Sequence, residues 1–237
     1  MDRYLIADLK VDMNISGDTM VNQSEKYKVS NDGSQPDVII NPSTEKLLAK
    51  MEKNPYATLE SQEYMTTGAA FYVSLIKYGG FMLHSSAGEL DGKAYLFSAP
   101  SGTGKSTHTS RWVSYFGEER ARIINDDKPA VREADGKFYV YGTPWSGKTA
   151  LNENVAVEPA GVAFIERSET NRIERLTPVQ ALKHLMWQTV RPTKEQNMDA
   201  LLTTLDKFIS QVPVYKLYCN ISDEAVQVAY NAMKEGK

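Results

Sequence analysis

Residues 94–107 read Ala-Tyr-Leu-Phe-Ser-Ala-Pro-Ser-Gly-Thr-Gly-Lys-Ser-Thr, AYLFSAPSGTGKST. The run AYLFS (94–98) is apolar enough to be a strand covered on both faces. A Gly-rich turn follows at once, and residues 105–117, KSTHTSRWVSYFG, have the spacing of a helix with Trp112, Val113 and Phe116 toward a sheet. Gly102 and Gly104 permit backbone conformations that turn successive N–H groups inward, forming a nest for anionic oxygens. The first turn of the helix adds free N–H groups and the positive end of its dipole. The general phosphate-loop pattern is Gly, any four residues, then Gly-Lys-Ser/Thr. Here Ala99 stands at the first Gly and the rest fits. A bare Gly-rich turn with an exposed lysine would give the same spelling. A buried strand before it and an amphipathic helix after it point to a phosphate loop in an α/β fold.

Upstream of the loop, GFMLHSSAG (80–88) reads as a strand and Asp91-Gly92 as a hairpin turn. RYLIADLKV (3–11) and DVIIN (37–41) read as strands joined by a polar connection, and residues 42–54 and 59–79 as helices. In the second helix Tyr64, Ala69, Tyr72, Leu75 and Ile76 recur at helical spacing. Downstream, ARIIN (121–125) is a short apolar strand, and residues 129–142 form a hairpin around Asp135-Gly136. AGVAFIER (160–167) is a buried strand with RIERL (172–176) as a candidate neighbour. Helices are expected over 177–190, 194–212 and 222–235, with a strand at 212–219. Hairpins interrupt the alternation of strands and helices, which predicts a mixed sheet with flanking helices, not a purely parallel one. Residues 1–78 are a small N-terminal strand/helix region, either a lobe or part of the main sheet. Residues 79–237 are the kinase-like domain.

The chain has 237 residues, 41% hydrophobic and 24% charged, with net charge −3. Those values describe a globular protein and give no ground for a nucleic-acid binder or a membrane-surface protein. Its single cysteine, Cys219, cannot form an internal disulfide and reads as a core residue at a strand end. The opening MDRYLIADLKVD carries charges inside any apolar run and is unlike a signal peptide, so the expected location is the cytoplasm. An oligomer is compatible with the sequence.

The chemistry-bearing residues follow from the loop. Ser101, Gly102, Thr103, Gly104, Lys105, Ser106 and Thr107 are candidates to bind a nucleotide. Lys105 can reach terminal phosphates as a point charge, and the Ser106 hydroxyl suits Mg²⁺ or Mn²⁺ beside ATP. About twenty residues on, RIINDDKPAV ends a strand in Asp126-Asp127. A strand end in an open α/β sheet is where ligands bind. One carboxylate can hold the metal and the other can take a proton from an attacking hydroxyl. Either residue fits either role, and an Asn-Asp-Asp turn before Pro explains the same letters. His84, at a strand end, can ligate a metal, contact phosphate or tune the carboxylates; His108 and His184 have no such context.

His-Ser-Ser-Ala, Asp-Gly-Lys-Ala-Tyr-Leu-Phe, Ser-Gly-Thr-Gly-Lys-Ser and Asn-Asp-Asp, within residues 80–130, resemble the catalytic core of HPr kinase/phosphorylase. They also resemble the nucleotide core of ATP-dependent phosphoenolpyruvate carboxykinase. A weaker resemblance to stand-alone relatives of HPr kinase extends through YGTPWSGK to the C-terminus. The resemblance implies the mixed-sheet phosphate-loop fold of those two families, ATP-Mg²⁺ on Lys105 and Ser106, Asp126 as general base, Asp127 as metal ligand and His84 as the active-site histidine.

The departures also carry information. Carboxykinases are much longer, and their substrate-binding portion has no counterpart here. The Glu-x-Arg-Gly segment of HPr kinases is replaced by Thr143-Pro-Trp-Ser-Gly-Lys148, where Lys148 can supply the cation and Trp145 is either a pocket or a core residue. TVRPT places Arg191 in a setting that echoes a family arginine. HPr itself is therefore not the expected substrate. The expectation is an ATP-dependent phosphotransferase acting on a hydroxyl, a Ser of a protein or peptide. A small-molecule kinase is the variant, and a non-catalytic ATP-binding regulatory module the rival.

Overall fold

The computed structural model describes residues 1–54 and 56–234. In chain order its elements are β1 (Asp2–Ile6), β2 (Leu9–Met13), α1 (Asp18–Ser24), β3 (Lys28–Val29), β4 (Val38–Ile40), α2 (Thr44–Glu52), α3 (Leu59–Leu75), β5 (Gly80–Met82), β6 (Ser85–Leu90) and β7 (Lys93–Ser98). Then come α4 (Lys105–Phe116), β8 (Ala121–Asn125), β9 (Ala130–Ala134), β10 (Lys137–Tyr141), β11 (Ala156–Val157), β12 (Pro159–Arg167), β13 (Arg172–Arg175), α5 (Pro178–Gln188), α6 (Glu195–Gln211), β14 (Val214–Cys219) and α7 (Asp223–Met233). The expected end of the last helix, Glu235, lies outside the described residues.

The strands form three sheets, a mixed α/β architecture. The main one has the order β13-β14-β12-β7-β6-β8. β12 pairs parallel with both β7 and β14, whereas β6 is antiparallel to both of its neighbours, β7 and β8. β7, β8, β12 and β14 therefore all point the same way, and their carboxyl ends share one edge. Along β7, Tyr95 and Phe97 enter one core with Trp112 of α4 and with α7. Ala94 and Leu96 enter another with α5, α6 and the second sheet. The apolar run of β7 is thus explained by burial on both faces.

The second sheet, β11-β10-β9-β5, is antiparallel. The segment 80–88, expected as one strand, is two. It breaks at Leu83-His84, where the chain leaves β5 in the second sheet and enters β6 in the main one. β13, the candidate neighbour of β12, pairs instead with β14, Arg172 opposite Tyr218.

The N-terminal strands do not join the main sheet; they make a third, β3-β1-β2-β4. The expected strand 3–11 is a hairpin, because Ala7 and Asp8 both adopt positive φ, 52° and 58°. That two-residue turn matches strand twist but is unfavourable without Gly or Asn. Partners distant in sequence hold it: Arg132 donates to the Ala7 carbonyl at 3.0 Å, and the Tyr141 hydroxyl donates to Asp8 at 2.6 Å. α1, inside the expected polar connection, has the same kind of origin. Its leading N–H groups are accepted by carboxylates of α3: Gly17 by Glu63 at 2.8 Å and Thr19 by Glu60 at 2.6 Å.

α3 starts at a Thr58–Ser61 capping box, and a short 3₁₀ turn after it ends at Gly79 with φ 69°. Its buried residues are Glu63, Thr67, Gly68, Phe71, Tyr72 and Leu75, so Ala69 falls on the exposed side of the expected stripe. The third core joins this helix to the N-terminal sheet and to Trp145. Among the described residues no helix is long and apolar enough to cross a membrane.

Trp145 is fully buried, stacks on Phe71 at 5.0 Å, and donates its indole N–H to the Thr67 hydroxyl at 3.1 Å. It is a core residue, not a pocket one. Trp145→Ala is expected to cost about 3–5 kcal/mol in urea denaturation, and Trp145→Phe less, because the stacked ring is retained. A loss below about 1 kcal/mol for the alanine variant would contradict that packing.

Candidate functional site

The shared edge of the main sheet opens into a cleft of about 1170 Å³. His84, the loop residues 101–107, Asp126, Asp127 and Lys148 all line it. Of the expected site residues, Arg191 alone is not among its lining residues. The Arg191 guanidinium lies instead over the exposed Trp187 ring, 5.6 Å from its centre. The end of α5 does reach the site, through Gln188 and not Arg191.

The loop between β7 and α4 uses its glycines as the sequence requires. Gly102 has φ 77° and Gly104, the cap residue of α4, has φ 119°. Nothing lies within 4 Å of where a Cβ would stand on either, so backbone conformation, not crowding, selects glycine. Lys105 is 8% exposed, and its ammonium donates to the Ala99 carbonyl at 2.9 Å. Burial lowers its pKa from the ordinary lysine value, while the charges of Asp127 and Asp126 pull the other way. From the end of β12, Arg167 donates to the Thr103 carbonyl at 3.0 Å and to the Gly102 carbonyl at 2.5 Å. Because C=O and N–H point oppositely across a trans peptide, this grip fixes which way the loop's N–H groups face.

Two strands away, the end of β8 carries the carboxylates. Asp126 is 5% exposed and accepts hydrogen bonds from the hydroxyls of Ser86, at 2.6 Å, and Thr149, at 3.1 Å. Its partners are neutral. Asp127 instead faces basic groups: His84 Nε2 lies 3.2 Å from Oδ1, and the Lys128 ammonium is hydrogen-bonded to Oδ2. Burial by itself raises the Asp127 pKa, but the His84 hydrogen bond and the Lys128 charge outweigh it and hold the carboxyl at about 2. His84 is fixed from its other side, with Nδ1 3.0 Å from Gln188 Oε1. Both ring nitrogens therefore face side-chain oxygens, which fixes the plane of the ring. Its placement follows from the break between β5 and β6: the His84 N–H donates to the Gln188 carbonyl, and the Ser85 N–H to the Asp127 carbonyl.

Segment 146–149 forms the wall beside the carboxylates. Gly147 has φ 74°, and a Cβ there would lie 3.0 Å from Asp127 Cβ. The N-terminal region holds this wall from behind. The Gln23 amide donates to the Gly147 carbonyl at 3.1 Å, and the Gly147 N–H donates to the Tyr64 hydroxyl at 2.9 Å. The exposed Lys148 lies on the cleft side. His108 also lines the cleft, but its Nε2 accepts from the Trp112 indole at 3.0 Å, and burial lowers its pKa to about 4. It is a neutral packing residue.

Ser86 and Lys128 lie within the motifs singled out from sequence and Thr149 just beyond one, but nothing local assigns them partners. Gln188 and Arg167 carried no motif signal. Arg167 is the last residue of an ordinary strand, Phe-Ile-Glu-Arg.

Ser106 brings a hydroxyl and Asp127 an ionised carboxylate to the cleft, oxygen donors of the kind a hard cation takes, while among the described residues no cluster of three or more His, Cys, Asp or Glu side chains is placed to hold a metal ion.

No protein-family model matches the chain, and no curated protein matches it. Among solved structures, the Hpr(Ser) kinase/phosphatase from Coxiella burnetii is similar at 12% identity with a TM-score of 0.34, over 65% of this chain and 95% of that chain.

The Asp127 cluster has a pH signature. A carboxylate whose pKa is lowered by folding adds stability above its unfolded value, and that contribution is lost as pH falls through the folded value. Here the window runs from the ordinary 3.8 down to about 2. The stability of the wild type relative to Asp127→Asn, followed by urea denaturation, is expected to fall as pH is lowered from about 4 to about 2. A difference that stays constant across that window would contradict the ion-pair geometry.

Proposed function

We propose that the protein is an ATP-dependent phosphotransferase that acts on a hydroxyl, a serine of a protein or peptide. One observation carries this reading: the glycine loop with Lys105 and the Asp126–Asp127–His84 group face one cleft from neighbouring strand ends. Phosphoryl transfer needs positioning, charge neutralisation and one base, and each has a candidate here. The loop N–H groups and the start of α4 bind the phosphate chain. Lys105 exchanges the Ala99 carbonyl for a phosphate oxygen. Ser106 and Asp127 would hold Mg²⁺ or Mn²⁺, which when bound offsets phosphate charge.

Asp126 is the better base of the pair. A carboxylate held at about 2 accepts a proton poorly at neutral pH, which argues against Asp127. The hydroxyls of Ser86 and Thr149 occupy two of the roughly four lone-pair positions of Asp126, leaving room for a third donor. His84 and Lys128 keep Asp127 ionised. The cleft, about 1170 Å³, is larger than the roughly 300–1,000 Å³ of ordinary small-ligand sites, which leaves room for an acceptor beside a nucleotide.

A non-catalytic ATP-binding module is the second reading. The observation in its favour is that both oxygens of Asp127 already meet side chains of the protein itself, His84 and Lys128. Turnover of ATP to ADP without an added acceptor separates the two. Asp126→Asn is expected to keep ATP affinity within about twofold while lowering turnover by about 10²- to 10⁴-fold. Lys105→Ala is expected to lose ATP affinity with the fold intact. If Asp126→Asn and Asp127→Asn both turn over ATP at the wild-type rate, the binding module is the better account. If Lys105→Ala binds ATP as the wild type does, both readings fail.

A further inference from the structure

The cleft continues past the glycine loop on the side away from Asp126 and Asp127. There β12 and β14 end, one and two strands from β7, so this part of the edge runs from about 5 to about 10 Å beyond the loop. If the transferred phosphate faces the carboxylates, the remainder of a nucleotide leaves the loop on this opposite side. Three apolar side chains stand in the wall it would meet. Ile165 and Cys219 are buried at the two strand ends, and Ile221, just past β14, lines the same space while 71% exposed. Burial pushes the Cys219 thiol up to about 11, so it too presents an uncharged surface.

The polar side chains at this end are mostly committed to the protein. Asn220 donates to the Glu169 carbonyl at 3.0 Å and accepts from Ser222 at 2.5 Å. Ser168 accepts from the Thr170 N–H at 3.2 Å, and Arg111 is paired with Asp223 at 2.6 Å. Arg167 holds the loop carbonyls. The Glu169 side chain is the exception, an exposed carboxylate on the rim.

We infer that this end is a nucleoside subsite in which Ile221, with Ile165 and Cys219, holds the flat face of a purine, and that it discriminates weakly between bases. The inference rests on the ATP reading above. Its second half follows from how sites discriminate. A site that hydrogen-bonds a distinguishing group rejects the analogue lacking it by about 10⁴- to 10⁵-fold, whereas apolar contact separates similar ligands by about 10- to 200-fold.

The test is calorimetric binding of Mg-ATP, Mg-GTP and Mg-tripolyphosphate to the full chain, wild type and Ile221→Ser. The wild type is expected to bind ATP and GTP within about tenfold of each other, and both at least about tenfold more tightly than tripolyphosphate. Ile221→Ser is expected to weaken ATP and GTP by about fivefold while leaving tripolyphosphate within about twofold, and Ile221→Leu to restore both nucleotides. Because Ile221 is exposed, the variants should melt as the wild type does. The subsite is overturned if Ile221→Ser leaves ATP binding unchanged or weakens tripolyphosphate equally. Its weak selectivity is overturned by a wild-type preference above about 100-fold for one purine. If tripolyphosphate binds and ATP binds no better, the loop assignment survives and the subsite does not. If none of the three binds, the ATP reading itself fails and the subsite with it.

Discussion

The arrangement of the cleft depends on one constraint, the antiparallel strand β6 between β7 and β8. Were β8 paired directly with β7, the carboxylates would stand only one strand spacing, about 5 Å, from the glycine loop. With β6 between them the separation along the edge is about 10 Å, two spacings. The loop and the carboxylates can then face a common space from opposite sides. The same strand supplies Ser86 to Asp126, and the break before it supplies His84 to Asp127. One topological feature therefore sets both the width of the site and the environments of its two acids.

Those environments differ although the residues are adjacent. Asp126 accepts from two hydroxyls, and Asp127 from the Lys128 ammonium with His84 beside it. Neighbouring residues at a strand end project in different directions, so each meets a different part of the fold. Lys105 and Lys128 set positive charge beside two carboxylates in a partly buried space. Separating the roles of two acids by their surroundings is a general route to acid–base chemistry at neutral pH.

The N-terminal region bears on the same site. Its sheet is separate from the main one, yet Gln23 and Tyr64 hold Gly147 at its carbonyl and its N–H. Tyr27 and Lys26 extend this to Asn152, at 3.2 and 2.5 Å. Gln23 is only 7% exposed, so its amide is a buried polar group whose bonds are satisfied across this contact. The wall beside the carboxylates is thus a shared product of both parts of the chain.

The parts of this protein legible in sequence are those whose signals are local. The glycine loop, the helix that opens at Thr177, and the Asp91-Gly92 and Asp135-Gly136 turns each depend on a few adjacent residues. The loop, the Asp pair and His84 stood out by residue type and strand-end position, and Lys148 only through the resemblance; all of them line the one cleft. Tertiary structure decided everything that rests on a distant partner. The Ala7-Asp8 hairpin needs Arg132 and Tyr141, and α1 needs Glu60 and Glu63. The split of 80–88 between two sheets follows from competing partner strands, and β13 chose β14 over β12 for the same reason. Trp145 went to the core because Phe71 and Thr67 await it there, and Gln188, not Arg191, reached the site because α5 ends against His84. Composition and spacing fix which residues can do chemistry. Only the packed chain fixes which of them meet, because a hydrogen bond or ion pair across a hundred residues leaves no trace in local sequence.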